Sequence, residues 1–316
     1  MKYVGKIIED VREHTGNTSY AVDATGATTS GLSQHLILSH IQDAQDHLAT
    51  LVINTHARIF TATKEISMVA GQEGYSVPDN IHINNKIISV QYSFDGTAAN
   101  YIKLKPKSIR ERNTNSYSFA DFYIRYQDQL LINPIPSSSA AKIRVHYYRT
   151  LDRVALRAGT VTAKTVVGGV LSAITLDTAT DDHYSLARAE SICINSSTGT
   201  VNAYNIPVPD GAYDTATGVW TGFASHTLAS GESVNVGDYV TVGNYTTTHS
   251  KLPLDTERYL RLWAKVAILG KDSSVDVTRE KENLLQIEAA IRESYSDPSE
   301  DVDEIEDEGF LDGYFL

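Results

Sequence analysis

Three lysines at alternate positions, Lys103, Lys105 and Lys107, followed by Arg110 and Arg112 with only Glu111 against them, form the sharpest charge pattern in the chain. On a strand, residues two apart project from the same face, so the lysines make a basic stripe. Such a stripe suits a polyanion: an acidic segment of a partner, or nucleic-acid phosphates passing a channel wall. The competing reading is a solvated strand face whose charge discourages edge-to-edge pairing. At the other end, residues 297–316 combine many acids with no base and finish on Phe310, Leu311, Tyr314, Phe315 and Leu316. Like-charge repulsion predicts that this segment is disordered by itself. Its apolar end predicts folding on binding, with the acids steered to a basic surface and the aromatic end locked into a pocket. The five bases and the five terminal residues are the candidate partner-binding set.

Other residue groups offer less chemistry. His35, His40 and His47 lie on one predicted helix, but only His40 and His47 fall near one face, two turns apart. They read as exposed or hydrogen-bonded helix histidines rather than as metal ligands. Asp301, Asp303, Glu306, Asp307 and Glu308 have the acids of a calcium loop without the sixth-position glycine its turn needs. Tyr117, Phe119, Phe122, Tyr123, Tyr126, Tyr147 and Tyr148 read as core and cross-strand packing rather than a stacking platform. The chain has no Gly-rich phosphate loop, no Gly-x-Ser-x-Gly elbow and no His-Glu-x-x-His helix. The expectation is a non-enzyme with no catalytic residue, no cofactor and no metal.

Charge and composition narrow the class further. The net charge of -12 comes from 27 bases and 39 acids. From Glu288 onward there are eleven acids and one base, Arg292, which leaves the rest of the chain near neutral. Bulk nucleic-acid binding therefore lacks the overall basic charge it needs. No apolar run approaches the ~18 residues of a membrane span, and acids sit where a signal peptide has its apolar stretch. The single cysteine, Cys193, excludes an internal disulfide and a cysteine-based zinc site.

These residues need elements to hold them. Val4, Ile7, Ile8 and Val11 stand at helical spacing over 3–13, and Gly16 supplies a left-handed stop. A longer helix over 32–60 carries Leu36, Ile37, Ile41, Ala44, Leu48, Leu51, Val52 and Ile59 on its apolar stripe. Strands dominate 61–150, with Asp95-Gly96 as a tight hairpin signal and Pro134 and Pro136 at a strand end or edge. Composition then shifts to Thr, Gly, Ser, Val and Asp over 154–250, with strands at 160–167, 170–176, 191–194, 200–206, 219–223 and 238–242. This reads as an inserted all-β module, a barrel or sandwich. Helical periodicity returns with Leu260, Trp263, Ala264, Ala267 and Ile268 on one face and Gly270 as the stop. A last helix, 274–295, is expected to bury Leu284, Ile287 and Ile291.

The expected fold class is α+β: a helical bundle from the N- and C-terminal helices, a central antiparallel β-domain and an inserted all-β module. The expected divisions are 1–153 (core, helices then β-domain), 154–250 (module), 251–296 (helices completing the core) and 297–316 (acidic tail). Tyr75-Ser-Val-Pro78, the strand Asp121-Phe-Tyr-Ile-Arg-Tyr126 and the turn Ile132-Asn-Pro134-Ile-Pro136, placed between helices, resemble the head–tail adaptor (connector) proteins of short-tailed bacteriophages. The resemblance covers 1–153 and 251–316. It implies a structural virion protein at the head–tail interface, made in the host cytoplasm. Twelve copies would form a ring joining the portal protein to tail or nozzle proteins, with DNA only as passing cargo, serving DNA packaging and tail assembly without a membrane. The resemblance also implies a C-terminal segment reaching into the portal. A second reading is a fibre-associated carbohydrate-binding or cell-surface-binding protein, with Tyr204, Tyr213, Trp220 and Tyr239 of the β-module as its reader.

Overall fold

The structure, a computed structural model, describes residues 3–16, 21–22, 28–30, 32–54, 60–78, 80–81, 87–112, 116–117, 120–177, 186, 189–209, 213–214, 217–229, 231–252, 256–271 and 275–295. The class is α+β: among the described residues there are four helices and many strands in sheets. Contacts divide the chain into two compact units, Ala57–Leu151 and the combination of Met1–His56 with Asp152–Leu316. The boundaries therefore fall at 56/57 and 151/152, and the strands of the 154–250 region group with the helices.

The helices α1 (Val4–His14), α2 (Gln34–Asn54), α3 (Glu257–Leu269) and α4 (Thr278–Ser294) belong to the larger unit. In α1 all four spaced apolar residues are buried, and Gly16 takes φ of 71° just past the helix end. In α2 the stripe is Ile37, Ile41, Ala44, Leu48 and Val52, continued by Ala49 and Ile53. Leu36, expected on that stripe, is exposed. Adjacent helical residues point about 100° apart, and Ile37 takes the inward position. Ile59 lies outside the described residues. α3 packs against α1, α2 and α4 and buries Tyr259, Leu260, Ala264 and Ile268.

The expectation for α4 needs correction. Only Ile291 is buried; Leu284 and Ile287 are half-buried, and Leu285 is exposed. The helix carries charges on most of its circumference, so its packed stripe is narrow.

Two glutamines of α2 hold the chain where it enters and leaves the β-region. Fully buried Gln45 donates through Nε2 to the Asp152 carbonyl (2.9 Å), and its Oε1 accepts from Ser250 Oγ (3.0 Å). Gln42 Oε1 accepts from the Val154 amide (2.9 Å). Buried amides of this kind are kept because every polar atom finds a partner.

The larger unit also holds β1 (Ala21–Val22) and β2 (Thr28–Ser30), an antiparallel pair. The smaller unit contains β3 (Thr61–Ser67), β4 (Gly74–Ser76), β5 (Ile87–Ser93), β6 (Ile102–Lys107), β7 (Ser116–Tyr117), β8 (Phe122–Tyr126), β9 (Gln129–Asn133), β10 (Ile135–Pro136) and β11 (Lys142–Tyr148). Seven of them form one sheet in the order β3-β11-β5-β6-β8-β9-β4. It is mixed rather than wholly antiparallel, because β6 and β8 run parallel. Residues 108–121 provide the long crossover that a parallel pair requires. The core, with Tyr75, Val90, Tyr92, Leu104, Tyr123, Ile132, Ile143 and Val145, draws from strands across the sheet. The Tyr75 hydroxyl ties β4 back to the segment that follows β3 by donating to the Val69 and Gln72 carbonyls.

Two turn expectations in this unit have different outcomes. Asp95-Gly96 is not a two-residue hairpin, since residues 94–101 join β5 to β6 and include the 3-10 turn Ala98–Asn100. The Asp95 carboxylate organises that loop, accepting from Thr97 N (3.0 Å), Thr97 Oγ1 (2.9 Å), Ser93 Oγ (3.0 Å) and Asn100 Nδ2 (2.6 Å). These donors, the Thr97 amide first, hold its pKa down to about 2. Pro136 lies in the two-residue parallel ladder of β10 with β7, and the Asn133–Pro134 bond is cis.

Nine strands follow: β12 (Arg153–Val154), β13 (Gly159–Val167), β14 (Val170–Asp177), β15 (Ser191–Asn195), β16 (Val201–Pro207), β17 (Tyr213–Asp214), β18 (Val219–Thr227), β19 (Tyr239–Val242) and β20 (Thr246–Thr247). The sheet β16-β15-β19-β13-β14-β18-β17 is antiparallel throughout. It curls around one core of Val161, Leu171, Ile174, Ile192, Ile194, Ile206, Trp220 and Val240, and β16 comes round to meet β18. β12 pairs with β20 in parallel. Beside β20, His249 is buried between the rings of Tyr3 (5.7 Å) and Tyr239 (6.5 Å, stacked). Gly199 makes room for it: φ is 95°, and a Cβ there would stand 2.8 Å from His249 Cγ.

Candidate docking face

Alternation builds a polar face on the smaller unit. In β11, Ile143 and Val145 enter the core, so Lys142, Arg144 and His146 stand on the other side. Directly paired residues share a face. One cross-strand row therefore reads Ser67, Lys142, Ser93; the next reads Glu65, Arg144, Gln91, Lys103; a third reads Thr63, His146, Ser89. In β6, Leu104 is buried between Lys103 and Lys105, and Lys105 and Lys107 pair with Phe122 and Ile124 of β8. The result is a polar surface of lysines, hydroxyls, Gln91, His146 and the Arg144–Glu65 pair across four neighbouring strands.

Its charges are not equivalent. Arg144 donates to Glu65 Oε1 from Nε (3.1 Å) and Nη2 (2.6 Å) and lies over the Tyr101 ring at 3.9 Å. That hydrogen bond keeps the Glu65 carboxyl below its ordinary pKa. Burial, then the Arg144 charge, push the His146 pKa down, and its ring nitrogens meet Thr63 Oγ1 (2.8 Å) and Gln91 Oε1 (3.3 Å). Lys107 Nζ sits 4.4 Å from the Phe122 ring centroid and 3.8 Å from Glu111. Arg112 grips Glu73 at two points, Nε to Oε1 at 2.7 Å and Nη2 to Oε2. Asn133 Nδ2 adds a third donor to Glu73 (3.1 Å).

The five bases picked from the sequence thus separate by role. Arg112 is a structural clamp, and Lys107 is partly engaged. Lys103, Lys105 and Arg110 are exposed and have no ion-pair partner among the described residues; Arg110 sits on the 3-10 turn Ile109–Glu111 after the strand. Lys142 also lacks such a partner among the described residues. Sequence reasoning missed Lys142, Arg144 and His146, although their alternation with Ile143 and Val145 was a readable signal. Phe310, Leu311, Tyr314, Phe315 and Leu316 lie outside the described residues, as do the acids considered for calcium.

Other groups resolve into packing. Phe122, Tyr123, Tyr147 and Tyr148 are buried and Tyr126 is exposed; the side chains of Tyr117 and Phe119 lie outside the described residues. Trp220, one of the four residues of the carbohydrate-reader reading, is 0% exposed, with Tyr213 edge-on at 5.4 Å. Tyr204 donates its hydroxyl to Asp152 Oδ2 (3.0 Å). This side-chain set offers no exposed sugar platform. His40 lies 3.7 Å from Asp43, and His47 lies 3.4 Å from Glu288 and stacks near Trp263. A cavity of about 260 Å³ between α1, α3 and α4 is lined by Asp10, His14, Arg258, Arg261 and Lys265. Its charges largely satisfy one another, Arg261 with Asp10 and Glu257, and Lys265 with Glu280.

No helix among the described residues is long and apolar enough to cross a membrane. No curated protein matches the chain. The family model described as SU10 adaptor protein matches residues 2–167, just over half of the 316 residues. That match takes in α1, α2, the whole sheet carrying the basic face, and β13. The chain therefore belongs to the SU10 adaptor protein family, the head–tail adaptors of phage, and is a structural component of the virion.

Proposed function

We propose that copies of this chain form a ring, twelve in number, joining the portal vertex to the tail or nozzle and leaving an opening through which DNA passes. The observation that carries this reading is the adaptor-family match over 2–167, which covers helices and β-domain together. Partner contact is assigned to Lys103, Lys105, Lys107 and Arg110 on the basic face, with Arg112 holding that region in shape, and to the terminal Phe310, Leu311, Tyr314, Phe315 and Leu316. Lys103, Lys105 and Arg110, exposed and without an ion-pair partner among the described residues, have no existing pair to break when an anionic partner covers them, which suits a surface meant for assembly. The test is the mass of the purified full-length protein, alone and mixed with a purified portal ring, by native mass spectrometry. Twelve copies added to the portal ring are expected. A mixture in which the protein never joins the ring, at any protein excess, refutes the reading.

A further inference from the structure

We propose that the basic sheet face is the docking surface for the acidic segment 301–308 of this same chain, supplied by a neighbouring copy. The face offers Lys103, Lys105 and Lys107 at alternate positions of β6, with Lys142 and Arg144 two strands away on β11 in the rows described above. Residues two apart on a strand are separated by about 6.6–6.8 Å along it. The segment 301–308 contains six acids and no base, and Glu304, Glu306 and Glu308 recur at the same two-residue period. An extended chain laid along β6 therefore sets three carboxylates opposite three ammonium groups in one register. Val302 alone accompanies those glutamates on that side, so little apolar surface opposes the contact.

β6 lies between β5, which it pairs over 102–104, and β8, which it pairs over 105–107, so the segment binds through side chains on the face and not as an added strand. The face carries Glu65 and Glu111, and both are taken, by Arg144 and Lys107. Ser67 and Ser89 add hydroxyls between the cations. A nucleic-acid duplex is the other polyanion of matching chemistry. The segment is favoured because its charge period equals that of the strand and because it is present at one copy per face.

The proposal deepens the ring reading in its choice of a neighbour, and its experiment needs no portal. In the full-length protein, Lys105→Cys and Glu306→Cys are combined and oxidised mildly at low salt; the natural Cys193 is fully buried. Cross-linked dimers and higher species are expected on a non-reducing gel, fading as salt rises. Lys64→Cys, on the edge strand β3, replaces Lys105→Cys in the control pair and should give none. Adding Lys103→Glu should lower cross-linking about tenfold, and Glu304→Lys should restore it, because an attractive exposed pair becomes repulsive and then attractive again. Cross-linking equal to the control, or insensitive to Lys103→Glu, overturns the proposal. So does a purely intramolecular product, which assigns the segment to its own chain. Binding of a 20-base-pair duplex that Lys103→Glu abolishes, without any cross-link, also overturns it and makes the face a nucleic-acid surface. Failure to join a portal ring with cross-linking intact sinks only the ring reading.

Discussion

Acid should weaken the larger unit through a single buried imidazole. His249 is 4% exposed, enclosed by Tyr3 and Tyr239, with Thr248 Oγ1 at 2.9 Å from Nδ1. Burial first, with the charge of Lys251 adding to it, pushes its pKa down to about 4 from an ordinary 6.5. The unfolded chain takes up a proton near pH 6.5, whereas the folded chain resists it until about pH 4. Stability from this group is therefore complete above pH 6.5 and drains away as pH falls from 6.5 towards 4. The loss is about 2 kcal/mol at pH 5 and approaches about 3 kcal/mol below pH 4. For a unit of this size, about 2 kcal/mol lowers Tm by roughly 4–8 °C. The assay is the Tm of wild type and of His249→Asn between pH 7.5 and 4.5. The substitution lowers Tm at every pH by shrinking a buried side chain, but it removes the titration, so the wild-type curve should fall more steeply. The acids and the other histidines titrate in both proteins and cancel in the difference. Parallel curves, or a ring resonance of His249 titrating near pH 6.5, would show that the imidazole is not held neutral and refute the reasoning.

Trp220→Ala should cost about 3–5 kcal/mol by opening a cavity in the module core, seen as a lower midpoint in denaturant. Ile291→Ala should cost about 2–4 kcal/mol, and Leu285→Ala on the same helix under about 0.5 kcal/mol; equal effects would misplace the packed face of α4. Glu73→Gln should destabilise by about 1 kcal/mol, discounted for the exposure of Arg112, and should abolish the benefit of raising pH through the carboxylate range, where the depressed Glu73 pKa makes its contribution appear. A short Gly/Ser bridge from Arg153 to Leu252 should leave the remaining chain folded at a reduced Tm, since Gln45 loses Ser250 and the Val4 amide loses the Thr248 carbonyl; non-cooperative melting would mean one shared core.

Strong periodicity was legible and weak periodicity was not. The α1 stripe and the six long strands of the 159–242 sheet follow directly from spacing and glycine turns, because one buried face with short connections leaves few alternatives. Leu284 and Ile287 misled because apolar spacing reports a face that is able to pack, not how much partner surface covers it. The parallel pairing of β6 with β8 was invisible for a different reason: pairing is a non-local choice, and only the long 108–121 crossover hinted at it. For the docking face, the lysine period named one strand correctly. The alternation of Arg144 and His146 with Ile143 and Val145 was readable, but not that they join the lysine strand, because their neighbours in the rows, Gln91 and Ser89, are more than fifty residues away. The clamp of Arg112 on Glu73 was not legible because the two lie 39 residues apart in the chain.

The paired glutamines of α2 have a consequence for how such virion parts diversify. One side chain, Gln45, reaches both the carbonyl before the β-region and the hydroxyl after it, so departure and return occupy neighbouring points on a single helix. A segment attached this way behaves like a fitting in a socket. Its loops can lengthen without changing the separation that the helix sees, because that separation is set by one amide and the β12–β20 ladder beside it. Variation confined to the loops between β13 and β19, with β12, β20 and Ser250 kept, would therefore leave that helical seat unaltered.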